Sequence, residues 1–168
     1  IIIGDSKETK DTLEIIHNCK DKRMQILSKL KKHEPNFDLH RSALKNDYNF
    51  LNSNELELMD ATIENRDVSF AGIAELSKKD FSIEKIGQLL LKHHEILSNK
   101  LNVSTMQIDT MIEASMDAGA YGAKITGSGG GGCMFALTPE DPNPVCEAIR
   151  NVGGDAYVVK VDRGTCKL

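Results

Sequence analysis

The 168 residues carry 21 lysines and arginines against 25 aspartates and glutamates, with 40% hydrophobic residues and four prolines. A net charge of -4, with no basic run longer than KLKKH at 29–33, offers no phosphate-tracking surface for nucleic acid, and no apolar run approaches the roughly 18 residues of a membrane span. The composition is that of a folded domain with one core, far from a disordered or collagen-like chain.

The chain opens IIIGDS, with three β-branched residues and no initiator methionine; this predicts a buried strand that begins in the middle of something, and a chain that is a fragment. GDSKET then turns, and Thr9 or Asp11 is placed to cap a helix. From Thr12 the apolar residues Leu13, Ile16, Met24, Leu27 and Leu30 fit one helical face that breaks near Pro35. Residues 38–79 read as helical in two or more pieces, interrupted at NSN (52–54), with Gly72 a tolerated weak point.

Ser82 caps the next predicted helix, whose face is Ile83, Ile86, Leu90, Leu97 and Leu101 with His94 on the same stripe. Ser104 and Gln107 then form a capping box for a helix that ends at Gly119. Downstream the period changes. AKIT (123–126), CMFAL (133–137) and AYVVKV (156–161) are short β-rich runs, and NPVCEAIRNVGG supplies a helix between the last two. This order predicts an α+β fold, a small antiparallel sheet covered by helices on one face.

Between the second and third of the four predicted strands stand Gly127, Ser128, Gly129, Gly130, Gly131 and Gly132. Glycine inside an ordinary strand costs roughly 0.5 to 1 kcal/mol relative to alanine, so such a run needs a local reason. One reading is a tight connection whose glycines take left-handed turns and let a neighbour come close. The other is a ligand wall, in which successive free N–H groups or the missing side chains let a phosphate approach. A two-residue hairpin needs only one or two glycines, which favours ligand proximity. The loop has no Lys-Ser/Thr pair and is followed by a strand, so it matches neither the strand-to-helix phosphate loop nor the dinucleotide fingerprint.

Other chemistry-bearing residues have plain explanations beside functional ones. Lys124 and Thr126 precede the loop and stand within reach of a phosphate, but solvation and turn hydrogen bonds account for them as well. Cys133 has no histidine paired to it in sequence and reads as a small filler. His93 and His94 point about 100° apart on a helix and do not converge on one ion, and His17, His33 and His40 form no compact spacing. Asp60, Glu64 and Asp67 read as the wet face of a helix, so no metal site is expected. Cys19, Cys133, Cys146 and Cys166 are too scattered for a metal finger and read as reduced thiols of a cytoplasmic protein.

The run GAKITGSGGGGCMFAL, with GDSKETKDT far upstream and LLLKHHEIL and LNVSTMQIDTMIEASMDAGAYGAKITG between, resembles the C-terminal half of the galactokinase, homoserine kinase, mevalonate kinase and phosphomevalonate kinase superfamily over essentially the whole chain. Within it, GGGGCMFALTPE followed by AIRNVGG is most similar to archaeal-type mevalonate kinases, as are Lys124 and Gly130, where galactokinases carry arginine and phenylalanine. AGAYGA at 118–123 and the spacing from His94 to Val103-Ser104 are galactokinase-like.

The resemblance implies a ferredoxin-like C-terminal domain over residues 1–168, with the N-terminal ATP-binding and catalytic domain absent. It implies an intact ATP-dependent kinase that phosphorylates the 5-hydroxyl of mevalonate, with galactose or another sugar as the alternative acceptor and a non-catalytic binding or dimerisation module as the third reading. ATP and Mg²⁺ would be held mainly by the missing part, and Gly127 to Gly132 would lie against the phosphates. No catalytic residue is assigned to this chain, Thr12 matches the threonine that closes the family's acceptor-side pattern, and a homodimer is left open.

Overall fold

The first strand, β1 (Ile2–Asp5), sits inside a sheet whose other members lie more than a hundred residues downstream. In the computed structural model, which describes residues 1–9, 12–45, 48–162 and 164, β1 is followed by α1 (Thr12–His33), α2 (Ser53–Leu76), α3 (Ile83–Glu95) and α4 (Met106–Asp117). Then come β2 (Gly122–Ile125), β3 (Cys133–Leu137), α5 (Asn143–Asn151) and β4 (Asp155–Val158). The order across the sheet is β2-β3-β1-β4, every pair antiparallel, with Gly4 opposite Met134 and Ala156.

One face of the sheet presents Ile2, Ala123, Ile125, Met134, Ala136 and Ala156, and helices α4 and α5 cover it with Ile108, Met111, Ile112, Val145 and Ile149. The α+β fold with helices on one face is therefore the one expected. α3 comes closest of all. A Cβ added to Gly87 would stand 2.2 Å from the carbonyl oxygen of Tyr121, and one added to Gly122 would stand 1.8 Å from that of Gly87, so helix and strand touch main chain to main chain.

The expectation of one core is corrected, because the described residues contain three buried clusters. α2 has 24 residues and runs about 36 Å, far beyond strands of four or five residues. Its N-terminal half therefore packs on α1 and the connection after it, where Ile26, Leu30, Phe37, Tyr48, Leu51 and Met59 form a second cluster. Ala61, Val68, Ile96, Leu101 and Val103 form the third, where α2 meets the end of α3.

Three local expectations are also corrected. Most of 38–52 is not helical: Asp38 Oδ1 accepts from the His40 amide at 3.0 Å and the Asp38 amide donates to Ser42 Oγ at 2.9 Å, so short polar side chains bond the backbone in place of helix neighbours. Asn52 starts a helix where an interruption was expected, accepting from the Glu55 amide at 2.9 Å while Glu55 returns the bond to the Asn52 amide at 3.1 Å. The cap of α4 is Thr105, whose Oγ1 accepts from the Ile108 amide at 3.3 Å, and not Ser104; Gln107 turns away to donate to the Val152 carbonyl at 2.8 Å. Ser82 caps α3 as expected, and a π-turn at Ile96–Lys100 extends that helix. Asp11 and Cys166 lie outside the described residues, and within them Cys19, Cys133 and Cys146 form no disulfide.

Candidate functional site

The glycine loop leaves β2 at Thr126 and returns at Cys133, the Thr126 amide donating to the Cys133 carbonyl at 3.0 Å to close it. Gly127, Gly129, Gly130, Gly131 and Gly132 all have φ between 70° and 107°, the region where a side chain is strained. Two distant segments close on this loop. From the β1 side, the Ser6 amide donates to the Gly132 carbonyl at 2.9 Å; from the chain before α4, the Val103 carbonyl accepts from the Gly130 amide at 2.9 Å. The GDSKET turn and the glycine run, joined here between residues 6 and 132, are thus one structural unit.

What would meet added side chains separates the glycines. At Gly129 a Cβ would stand 2.2 Å from the Val103 carbonyl oxygen; at Gly130 it would meet the Cδ1 of Ile15 from α1 at 1.9 Å; at Gly131 it would meet the Cβ of Glu8 at 3.0 Å. Close packing therefore explains the missing side chains, as the plainer reading had it. It does not explain the amides. Among the described residues, the N–H groups of Gly127, Ser128, Gly129 and Gly131 have no carbonyl partner, and successive free amides of this kind suit an anionic oxygen.

Beside the loop opens a cavity of about 440 Å³, walled by Ile16, Leu97, Val103, Ile125 and Gly127 to Gly129. Its lining is mostly apolar with a few polar groups, a usual composition for small-molecule sites. Two of those groups are orphaned: Arg23 Nε on α1 and Asn65 Oδ1 on α2 are buried without a hydrogen-bond partner. Neither was visible from sequence, because Arg23 sits among lysines on a mixed helix and Asn65 on an otherwise ordinary one. Ser104 Oγ, one residue beyond Val103, is a third buried atom without a partner.

The remaining candidates are accounted for by their contacts. Lys124 Nζ donates to the Ile125 carbonyl at 2.7 Å and lies 5.6 Å from the Phe135 ring centroid, so its ammonium is already engaged, and burial holds its pKa below the usual lysine value. His94 is buried: its Nδ1 accepts from the Ile125 amide at 3.4 Å, which makes Nε2 the donor toward Asp109 Oδ1 at 3.0 Å. Ser98 donates to the other Asp109 oxygen at 2.7 Å. Burial pushes the His94 pKa down against the opposing pull of Asp109. His93 is pushed down to about 4 by burial first and then by the Lys124 and His94 charges.

His17 pairs with Asp21 at 2.9 Å, His33 stacks on Phe50, and the histidines do not gather. Glu64 binds Lys100 and Lys92, Asp67 binds Arg66, and among the described residues no group of histidine, cysteine and carboxylate side chains is arranged to hold a metal ion. The side chain of Thr12 lies outside what is described, and among the described residues no helix is long and apolar enough to cross a membrane.

Residues 73–155, which include the loop, match the family described as GHMP kinases C terminal. A mevalonate kinase of Thermococcus sibiricus is 45% identical over 85 residues, 51% of this chain and 25% of that protein. A mevalonate kinase of Pyrococcus furiosus is 38% identical over 114 residues, 67% of this chain and 33% of that protein. The chain thus matches about a quarter to a third of the length of these relatives. Among solved structures, Lactococcus lactis galactokinase complexed with galactose superposes with a TM-score of 0.75 and 22% identity, covering 99% of this chain and 46% of that one, a likeness of fold.

Proposed function

We propose, from the premise that residues 73–155 belong to the GHMP kinase C-terminal family, that this chain is the C-terminal part of an ATP-dependent mevalonate kinase. The observation that carries the reading is the loop of left-handed glycines with amides free beside an apolar cavity. ATP with Mg²⁺ would supply the γ-phosphoryl group and the neutralisation of its charge. This chain's share is to offer the amides of Gly127, Ser128, Gly129 and Gly131 to phosphate oxygens, to keep water from one side of the transfer, and to seat the acceptor against the wall formed by Ile16 and Val103. The groups that deprotonate the 5-hydroxyl and hold the metal belong to the part of the longer protein that the relatives have beyond this match.

Galactose is the competing acceptor, because AGAYGA and the spacing from His94 to Val103-Ser104 resemble galactokinases. Arg23 favours mevalonate. A cationic side chain with an orphaned Nε lining the cavity suits a carboxylate, which mevalonate carries and galactose lacks. The test is a steady-state assay of the longer protein with both acceptors. kcat/KM for mevalonate should exceed that for galactose by at least about tenfold, or about 1.4 kcal/mol of transition-state discrimination, and Arg23→Gln should raise KM for mevalonate more than for ATP. A reversed preference reassigns the acceptor.

A further inference from the structure

Among the described residues β2 is an edge of the sheet, so the outer side of its main chain has no strand to bond. Ile125, its last residue, is 2% exposed, and both of its main-chain groups end on side chains: the amide donates to His94 Nδ1 at 3.4 Å and the carbonyl accepts from Lys124 Nζ. A buried amide without a partner is costly, so the imidazole has a bonding task beside its packing. Two residues after Ile125 the glycine loop begins.

The ring is itself held from behind. With Nδ1 accepting, Nε2 carries the proton and donates to Asp109 Oδ1 at 3.0 Å, and Asp109, in the first turn of α4, takes a second bond from Ser98 at 2.7 Å. Ser98 stands in the π-turn that extends α3, a helix form frequent at functional sites. The segment leaving this turn supplies the Val103 carbonyl to the Gly130 amide. The end of α3 thus holds the loop twice, at its root through His94 and at its middle through Val103, and Asp109 fixes His94 and Ser98 to α4. None of these three side chains lines the cavity beside the loop, so whatever they do for it they do through the main chain.

We propose that His94 is a positioning residue for the glycine loop: by taking the Ile125 amide it sets where the free amides of Gly127, Ser128 and Gly129 stand. The proposal rests on the reading of that loop as a phosphate contact. Two substitutions divide the ring's bonds between them. Asparagine places its amide group where Nδ1 stands and keeps the bond from Ile125, whereas glutamine places it where Nε2 stands and keeps only the bond to Asp109. In the longer protein, His94→Gln should speed hydrogen exchange in the peptide spanning residues 122–133 by about tenfold, with α5 as the control for global opening, and should lower kcat with ATP by about tenfold. His94→Asn should leave both within about threefold of the unaltered protein, although it removes more of the side chain. Equal effects of the two variants, or a milder effect of glutamine, would reduce His94 to a packing residue and overturn the proposal. Should the unaltered protein transfer no phosphate, the kinase reading falls, and the exchange comparison alone then upholds or overturns the hold of His94 on the loop.

Discussion

Gly129 and Gly130 are neighbours with the same sign of φ, and they should fail differently when substituted. The atom facing an added Cβ at Gly129 is a main-chain carbonyl oxygen, that of Val103, which moves only if the whole turn before α4 moves. At Gly130 the obstacle is the tip of the Ile15 side chain, which can rotate aside. Gly130→Ala should therefore cost about 1 kcal/mol, the left-handed penalty alone, and Gly129→Ala about 3 kcal/mol, both read from urea unfolding. Equal losses at the two sites would mean that Val103 does not constrain the loop. In the longer enzyme Gly130→Ala should lower kcat more than its small folding loss explains, because misplacing a phosphoryl group by about 1 Å costs on the order of 100-fold in rate.

Between elements, the join of α3 to β2 carries a pH dependence. His93, on α3, titrates near 4 in the folded chain, and the His94 pKa is also lowered, both chiefly by burial. An unfolded histidine titrates near 6.5, so between that pH and about 4 the unfolded chain binds more protons and stability falls with pH. Allowing for the partial solvent contact of His93, lowering the pH from 7 to 5 should cost about 1 kcal/mol through this residue, and His93→Asn should flatten that slope in thermal melts across the range. Glu75 follows at lower pH: bonded to Lys78, Lys85 and the Ser82 amide, its carboxyl is held at about 2, and the stability it lends is present above the unfolded value of 4.5 and lost as the pH falls toward 2. Elements of this kind were legible wherever their signal is local. The β3 run 133–137 and the Ser82 cap were read as they stand, since β-branched and aromatic enrichment and a hydroxyl before an apolar stripe are properties of adjacent residues. Asn52 was misread because the same side chain that breaks a helix begins one when glutamate follows three residues later. The cavity residues Arg23 and Asn65 were invisible, because only packing across α1 and α2 brings them to the glycine loop.

For the whole molecule, a loop that can offer amides but no general base predicts a division of labour. This chain alone should release no ADP from ATP in the presence of mevalonate, whereas a protein of its relatives' length should; turnover by the 168 residues at a comparable rate would place the chemistry within them. The loop's position in such an enzyme depends on how firmly its root is held. Gly87 and Gly122 set the height of β2 above α3 with main-chain atoms alone, where most helix and strand pairs rest on side chains whose size drifts from one relative to the next. The contact works like a surveyor's datum: substitutions that swell or shrink the surrounding core leave that one distance where it was, and the five residues from Gly122 to Thr126 carry it directly to the point where the glycine loop begins.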